Sequence, residues 1–175
     1  MNLEGKKAAL LVEDDYQELE AWYPLLRLRE EGVSVIVVGT GAKSTYASKR
    51  GYLITADCAA SAVDPGSLDA VIVPGGFAPD RMRQCEAMVA LVRSVFQRGK
   101  IVAAICHGGW MLCSAGLARG KRVTGWPSIR DDVRNAGGEW VEDREVVRDG
   151  NVITARAPAD LPAFGREIVR ALREA

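Results

Sequence analysis

Short apolar runs alternate with amphipathic stretches along the chain, and this alternation restricts the possible folds more than any other feature. The apolar runs are Lys7–Glu13, Val33–Val38, Asp69–Val73 and Lys100–Ile105, and charged residues or glycines bound them. Segments of this length suit strands that are buried on both faces. Because helical segments separate them, the sequence predicts an α/β fold with a mostly parallel sheet that helices cover on both sides.

The segments between these runs carry the apolar spacing of helices. Glu18–Glu31 mixes leucines with charges, and Pro24 is then expected near the first turn of the helix, or else to kink it. Residues 86–98 and 161–172 each place their apolar side chains on one helical stripe. The region 45–58 is less regular, and it predicts a small antiparallel excursion of the chain from the parallel sheet.

Length and charge limit the possible roles of the chain. Its 175 residues predict one domain covering 1–175, and a hydrophobic content of 48% is sufficient for a core. The 23 basic and 23 acidic residues cancel, which argues against nucleic acid or a membrane surface as the main partner. The N-terminal segment lacks the apolar core of a signal peptide, so we expect a cytoplasmic protein with reduced thiols.

The cysteines and the histidine narrow the chemistry further. The chain has four cysteines and one histidine, so metal sites that need several histidines are excluded, and no cofactor motif is present. That histidine, His107, directly follows Cys106 at the end of an apolar run. A strand that delivers a nucleophile into a sharp turn before a helix forms a nucleophile elbow. The helix N-terminus is then expected to lower the pKa of the thiol.

Two further observations bear on Cys106. Gly75 and Gly76 follow the apolar run 69–73, and their N–H groups, with that of His107, are expected to stabilise an oxyanion beside the thiol. The expectation depends on the carboxyl ends of neighbouring strands meeting at one edge of the sheet. The alternative for Cys106 is a buried, unreactive side chain, which is the usual place of a free cysteine.

Taken together, the motifs resemble the ThiJ/PfpI superfamily, and within it the PfpI-type intracellular cysteine peptidases. The resemblance runs nearly from end to end of the chain. It implies a flavodoxin-like three-layer α/β sandwich with a mostly parallel central sheet, of the class I glutamine amidotransferase-like type. The segments that carry it are Ala103–Gly108, Leu112–Leu117, Pro74–Gly76, Ala78–Arg81, Ile129–Asp132 and Ala157–Leu161.

The resemblance also implies roles for individual residues. Cys106 is the implied nucleophile, and His107 is its acid or base partner. Glu20, in the first helix, matches a glutamate that hydrogen-bonds the cysteine. Asp80 matches an acidic residue that a neighbouring subunit contributes, although its side chain is one methylene shorter than the glutamate of close relatives.

The resemblance extends to the substrate pocket and to assembly. Trp126 and Tyr52 fall where the family lines its pocket with aromatic side chains. The implied partners are further copies of the same chain, as a dimer or a hexamer, and a small aldehyde or peptide substrate. No cofactor, metal, nucleic acid or membrane is implied.

Three functions remain open at this point. The principal prediction is a cysteine-dependent hydrolase of the PfpI peptidase type, in which Cys106 attacks a carbonyl and His107 assists. The alternative is a glyoxalase or deglycase that acts on methylglyoxal or glycated adducts through Cys106 and Glu20. A third hypothesis, of another class, is a redox-sensing or chaperone-like stress protein without turnover.

Overall fold

The computed structural model describes residues 3–175. Eleven strands and six helices occur in this part of the chain. The strands are β1 (Lys7–Val12), β2 (Ser34–Gly39), β3 (Thr45–Ala47), β4 (Leu53–Thr55), β5 (Cys58–Ala59), β6 (Ala70–Val73), β7 (Ile101–Ile105), β8 (Arg122–Val123), β9 (Glu139–Trp140), β10 (Val146–Asp149) and β11 (Val152–Ala155). The helices are α1 (Glu18–Glu30), α2 (Ala78–Met82), α3 (Glu86–Gln97), α4 (Gly109–Ala115), α5 (Arg130–Asn135) and α6 (Leu161–Glu174).

A seven-stranded sheet forms the centre of the molecule, in the order β10-β11-β7-β6-β1-β2-β5. All neighbouring strands in it are parallel except β10, which runs antiparallel to β11. The parallel strands β2, β1, β6, β7 and β11 follow the flavodoxin order 2-1-3-4-5 when they are numbered along the chain. The predicted mostly parallel sheet is therefore confirmed.

The helices cover the sheet in two layers. α1 packs against α6, and α3 packs against α4. The connection through α1 leads from β1 to β2, whereas the connection through α3 leads from β6 to β7 in the opposite direction along the sheet. Because crossovers between parallel strands are right-handed, opposite directions place α1 and α3 on opposite faces. The result is the three-layer sandwich that the sequence predicted.

The burial of the strands explains why apolar runs in the sequence predicted their positions. Every residue of β6 and β7 is buried, and β1 is buried apart from its first residue. Strands enclosed between two helical layers need apolar side chains in both directions. The observed strands begin or end within one residue of the predicted runs, and β3 pairs with β4 as the predicted antiparallel excursion.

Pro24 does not lie near the first turn of α1, which was one of the two predicted alternatives. It lies in the second turn of α1, beyond the first turn, and the helix continues to Glu30. Pro24 has no N–H, so it cannot donate to the carbonyl of Glu20, four residues earlier. None of the helices within residues 3–175 combines the length and apolarity needed to cross a bilayer.

The ends of three strands define one edge of the sheet. β1 and β6 are neighbours, and the chain leaves them in opposite directions, so a crevice opens at their carboxyl ends. Tyr16, in the segment after β1, bridges to Gly76 after β6 and to Ser48 after β3. β7 lies beside β6 and ends at Ile105, directly before Cys106. The fold therefore brings the predicted motifs to one place.

Candidate active site

Cys106 occupies a strained turn between β7 and α4. Its φ angle is 59°, in the left-handed region that few residues other than glycine adopt. One short turn, Cys106–Gly108, separates the strand from the helix. A Cβ at Gly108 would lie 2.5 Å from the Val73 carbonyl oxygen, so this residue must lack a side chain. The structure thus has the backbone geometry of a nucleophile elbow.

Three residues place polar groups around the Cys106 thiol, namely His107, Gly76 and Glu20. The His107 Nδ1 atom lies 3.3 Å from Sγ, so adjacent residues face each other across the turn. The backbone N–H groups of His107 and Gly76 donate towards Sγ. Cys106 is nevertheless only 7% exposed, so a substrate must reach the sulfur through a narrow opening.

Glu20 is the third residue at the thiol. It is fully buried in α1, and its Oε2 atom accepts a hydrogen bond of 2.8 Å from the Gly75 N–H. Within residues 3–175 no N–H or O–H group donates to Glu20 Oε1, and the Cys106 thiol lies beside the carboxylate. Gln17 caps α1 by accepting the Glu20 N–H at 2.9 Å, which fixes the helix end that carries this carboxyl group.

Burial controls the protonation of Glu20. It raises the pKa of the carboxyl group from 4.5 to about 7, against the opposing effect of the Gly75 N–H and the Cys106 thiol. A carboxyl group with a pKa near neutrality can both accept and release a proton under ordinary conditions. Glu20 therefore has the properties of a general acid and base next to the candidate nucleophile.

The predicted lowering of the Cys106 pKa is wrong. Burial raises the pKa of the thiol to about 12, and the negative charge of Glu20 raises it further. The N–H groups of His107 and Gly76 act in the opposite direction but do not prevail. Sequence reasoning considered only the helix N-terminus, whereas the structure adds desolvation and a neighbouring carboxylate.

Gly75 does not have the predicted oxyanion role in this geometry, because its N–H is engaged by Glu20. The lack of space around residue 75 explains instead why it is a glycine. A Cβ at Gly75 would lie 2.6 Å from Glu20 Oε2 and 2.7 Å from the Cys106 Cβ. The N–H groups of Gly76 and His107, both directed at the thiol, are the nearest backbone donors for a developing oxyanion.

His107 is held from its second nitrogen by Ser128. The Ser128 Oγ atom lies 3.2 Å from His107 Nε2, in a turn at Pro127–Ile129. Burial lowers the pKa of His107, and the positive charge of Lys49 lowers it as well, so the imidazole is mainly neutral at pH 7. Sequence reasoning did not identify Ser128, since a serine in a loop 21 residues from the histidine has no recognisable spacing.

Aromatic rings surround the imidazole. The ring centroid of His107 lies 5.0 Å from that of Trp110 and 6.1 Å from those of Phe77 and Trp126. Phe77 is 54% exposed and Trp126 is 42% exposed. Trp126 is therefore beside the site, where the sequence placed it, and Phe77 was not predicted.

Two other predicted residues do not reach His107 within the chain. Tyr52 packs edge-on against Trp22 of α1, with ring centroids 5.6 Å apart, and makes no ring contact with His107. Asp80 lies exposed on α2, and in residues 3–175 its carboxylate has no hydrogen-bond or ion-pair partner. Tyr52 is therefore not one of the rings around His107, and a role for Asp80 requires a second copy of the chain.

Comparison with known proteins finds a family match over nearly the whole chain. The profile of the DJ-1/PfpI family matches residues 6–171. A protein of Thermococcus kodakarensis named a deglycase is 45% identical over 167 residues, which cover 95% of this chain and 99% of the relative. A protein of Bacillus subtilis with the provisional name of cysteine protease is 38% identical over 169 residues, which cover 97% and 99% of the two chains.

A solved structure shows the same fold. It is a two-domain protein from Anabaena variabilis with DJ-1/ThiJ/PfpI-like and ferritin-like domains. It superposes on this chain with a TM-score of 0.93 at 38% sequence identity. The match covers 96% of this chain and 48% of that one, so it concerns about half of the two-domain protein.

Proposed function

This chain belongs to the DJ-1/PfpI family, and on that premise we propose that it is a cysteine-dependent enzyme of the deglycase or glyoxalase type. The observation that carries the proposal is the buried Glu20 carboxyl group, which lies beside the Cys106 thiol and has a pKa of about 7. The relative named a deglycase, at 45% identity, supports the same choice. The order of preference from the sequence, which put the peptidase first, is therefore reversed.

The proposed first step is attack of Cys106 on an aldehyde carbon. The sulfur forms a bond to that carbon, and the electron pair of the carbonyl π bond moves to oxygen. His107 Nδ1, 3.3 Å from Sγ, accepts the thiol proton and returns it to this oxygen. The N–H groups of Gly76 and His107 stabilise the negative charge while it develops. The product of the step is a hemithioacetal.

The proposed second step depends on Glu20. As a carboxylate it removes the proton from the carbon that carries sulfur, and it then delivers the proton to the neighbouring carbon of the former α-oxoaldehyde. The hydroxyl proton of the sulfur-bearing carbon passes to the oxygen of that neighbouring carbon, so the first carbon becomes the thioester carbonyl and the second carries a hydroxyl group. The substrate is thereby oxidised at one carbon and reduced at the next, so no external oxidant is needed. Water cleaves the resulting thioester, releasing a hydroxy acid and the Cys106 thiol. A pKa near 7 suits a group that must accept and release the same proton.

Peptide hydrolysis is the second candidate. Its support is the pair formed by Cys106 and His107, because a histidine within 3.3 Å of the sulfur can protonate a leaving amine. Glu20 has no step to perform in that reaction. A purely redox-sensing role has less support, because the thiol is buried and its pKa is raised, whereas oxidation favours exposed thiolates.

Two assays separate these candidates. Purified protein is tested with methylglyoxal, by following lactate, and with a fluorogenic peptide. We expect turnover of methylglyoxal that Cys106→Ala abolishes and that Glu20→Gln lowers by at least about 100-fold, the usual size of a general acid-base contribution. The peptidase interpretation is favoured instead if only the peptide is cleaved and Glu20→Gln leaves that cleavage intact. Full turnover by Cys106→Ala would exclude both.

A further inference from the structure

Lys49 is a cation with a fixed backbone position at the opening of the site. It follows β3, and its N–H donates to the Tyr16 carbonyl at 3.0 Å. Tyr16 in turn bridges to Gly76, which precedes Phe77. These contacts direct the Lys49 ammonium group over the Phe77 ring, 4.8 Å from its centroid. The same ring lies beside His107, with centroids 6.1 Å apart.

The charge of Lys49 is not neutralised by a carboxylate at close range. Within residues 3–175 Lys49 forms no ion pair, whereas two other cations of the neighbouring segments are paired. Lys43 binds Asp14, and Arg81 binds Asp15. Lys49 is also exposed, so its ammonium group is accessible to a solute. It remains available to bind an anion.

The positive charge of Lys49 is important because the interior of the site carries negative charge. Glu20 and the thiolate of Cys106 are both negative when ionised, so an anionic substrate is repelled from the reacting sulfur. Lys49 counteracts that repulsion, and its charge lowers the pKa of both Glu20 and His107. An anion approaching along the exposed faces of Phe77 and Trp126 meets the ammonium group at the opening.

We propose that Lys49 and the Phe77 ring form an anion subsite at the opening of the Cys106 pocket, and that the preferred carbonyl substrates carry a carboxylate near the reacting carbon. The part about substrates rests on the proposed function. The ring holds the ammonium group in place through a cation–π contact, and the ammonium group binds the carboxylate. Adducts of α-oxoaldehydes with amino acids or cysteinyl compounds that keep a free carboxylate belong to this class.

Alkylation of Cys106 tests the subsite without any requirement for turnover. Iodoacetate and iodoacetamide react with the same thiolate but differ in charge, and peptide mass spectrometry measures the rate at Cys106 alone. The ratio of the two rates is compared in the wild type, in Lys49→Met and in Arg50→Met. Arg50→Met is the matched control, because it removes the same charge from the same turn, where Arg50 acts on Glu18 and not on Glu20.

We expect Lys49→Met to lower the ratio of iodoacetate to iodoacetamide rates by about three- to tenfold, the size of one nearby charge in water. High salt should remove most of the difference. A ratio that is unchanged in Lys49→Met, or that falls as far in Arg50→Met, overturns the subsite.

A second measurement tests the substrate class. The hemithioacetals of methylglyoxal with N-acetylcysteine and with its methyl ester differ only in the carboxylate. We expect kcat/KM to favour the anionic adduct in the wild type and this preference to vanish in Lys49→Met. If the variant loses activity equally on both adducts, Lys49 acts on the catalytic groups alone and the substrate inference is wrong. If neither adduct is turned over, the proposed function fails, while the alkylation ratio still decides the subsite.

Discussion

Glu20 and Cys106 are two buried ionisable groups whose ionisation is coupled. The Glu20 carboxylate raises the pKa of the thiol, whereas the protonated thiol lowers the pKa of Glu20 through a hydrogen bond. Burial raises the pKa of both, and a negative charge on either opposes a negative charge on the other. Protonation of Glu20 removes that opposition and leaves the His107 and Gly76 N–H groups to stabilise a thiolate. The state with one shared negative charge is thus the one in which the sulfur becomes nucleophilic.

The raised pKa of Glu20 predicts a dependence of stability on pH. The folded protein holds the proton up to about pH 7, whereas the unfolded chain releases it near pH 4.5. The stabilisation is therefore complete below pH 4.5 and is lost as the pH rises through 7. We expect the free energy of unfolding of the wild type to fall, relative to Glu20→Gln, by on the order of 3 kcal/mol across this range. Urea denaturation of both proteins at several pH values measures it.

Glu20→Gln is a close control, because glutamine keeps an oxygen that can accept the Gly75 N–H. Parallel curves of unfolding free energy against pH for the two proteins would contradict the assignment of a raised pKa to Glu20. The direction in which the unfolding free energy changes is also informative. A lowered pKa of Glu20 would make the wild type gain stability as the pH rises.

The contact of Ser128 with His107 leads to a second prediction, which concerns the orientation of the imidazole. We expect Ser128→Ala to lower kcat about fivefold, with KM nearly unchanged, because one neutral hydrogen bond contributes about 1 kcal/mol. Ser128→Thr keeps the hydroxyl group and should restore the rate. In Ser128→Asp a carboxylate faces the imidazole and raises its pKa, so the acid limb of the pH–rate profile should move to higher pH.

The results would differ if the Ser128 hydroxyl group only filled space and did not orient His107. In that case Ser128→Ala and Ser128→Thr would have similar kcat values, and Ser128→Asp would leave the pH profile in place. Ser114→Ala serves as a control, because the Ser114 hydroxyl accepts from Arg83 and not from His107.

At the residue scale, the sequence predicted which residues form the site better than it predicted what surrounds each side chain. Cys106 and His107 were identifiable because they are adjacent at the end of an apolar run. The direction of the thiol pKa was missed, since it depends on a carboxyl group 86 residues away in the chain, whose distance from the sulfur only the fold determines. Ser128 was missed for the same reason.

At the scale of elements, the turn after β6 and the elbow after β7 are packed together without space for side chains. Gly108 has helical φ and ψ angles, so alanine is compatible with its backbone, but a Cβ would lie 2.5 Å from the Val73 carbonyl oxygen. We expect Gly108→Ala to destabilise the protein by about 1–3 kcal/mol through overpacking. Chemical denaturation measures the loss.

Gly66→Ala provides the matched control for this prediction. Its backbone is also free of positive φ, and a Cβ there would meet only the Asp64 side chain, at 3.2 Å. Equal unfolding midpoints for Gly108→Ala and Gly66→Ala would show that β6 and the elbow can separate at little cost.

The sequence predicted the long elements but missed the short helices α2 and α5. The strands buried on both faces and the helices α1, α3 and α6 have enough residues to show a period. The helices α2 and α5 have five and six residues, so each makes less than two turns and shows no clear stripe. Their positions follow from packing against α4, which a local pattern does not contain.

At the scale of the whole molecule, an apolar groove remains uncovered. Leu19, Trp22 and Leu26 of α1 line it together with Tyr52, and Leu19 and Leu26 are each 57% exposed. Contiguous apolar surface of this kind is typical of protein interfaces. Because the family resemblance implies a homo-oligomer, we propose that a second copy of the chain covers this groove.

Solution mass tests that proposal. We expect a native mass that is a multiple of 18.9 kDa, and a shift towards the monomer in Leu26→Glu. Leu53→Glu is a control, because Leu53 is 62% exposed but does not line the groove. A wild type that is monomeric at all concentrations would exclude the oligomer, and with it any contribution of Asp80 from a neighbouring copy.

The candidate site joins parts of the chain that are far apart in sequence. Glu20 and Gly75 are separated by 55 residues, and His107 and Ser128 by 21. Pairing between distant segments in parallel sheets forms slowly during folding. Partly folded intermediates and fragments should therefore be inert, so that recovery of catalysis in a refolding experiment reports the last step of assembly. Newly synthesised chains would then have no active thiol until the sheet is complete.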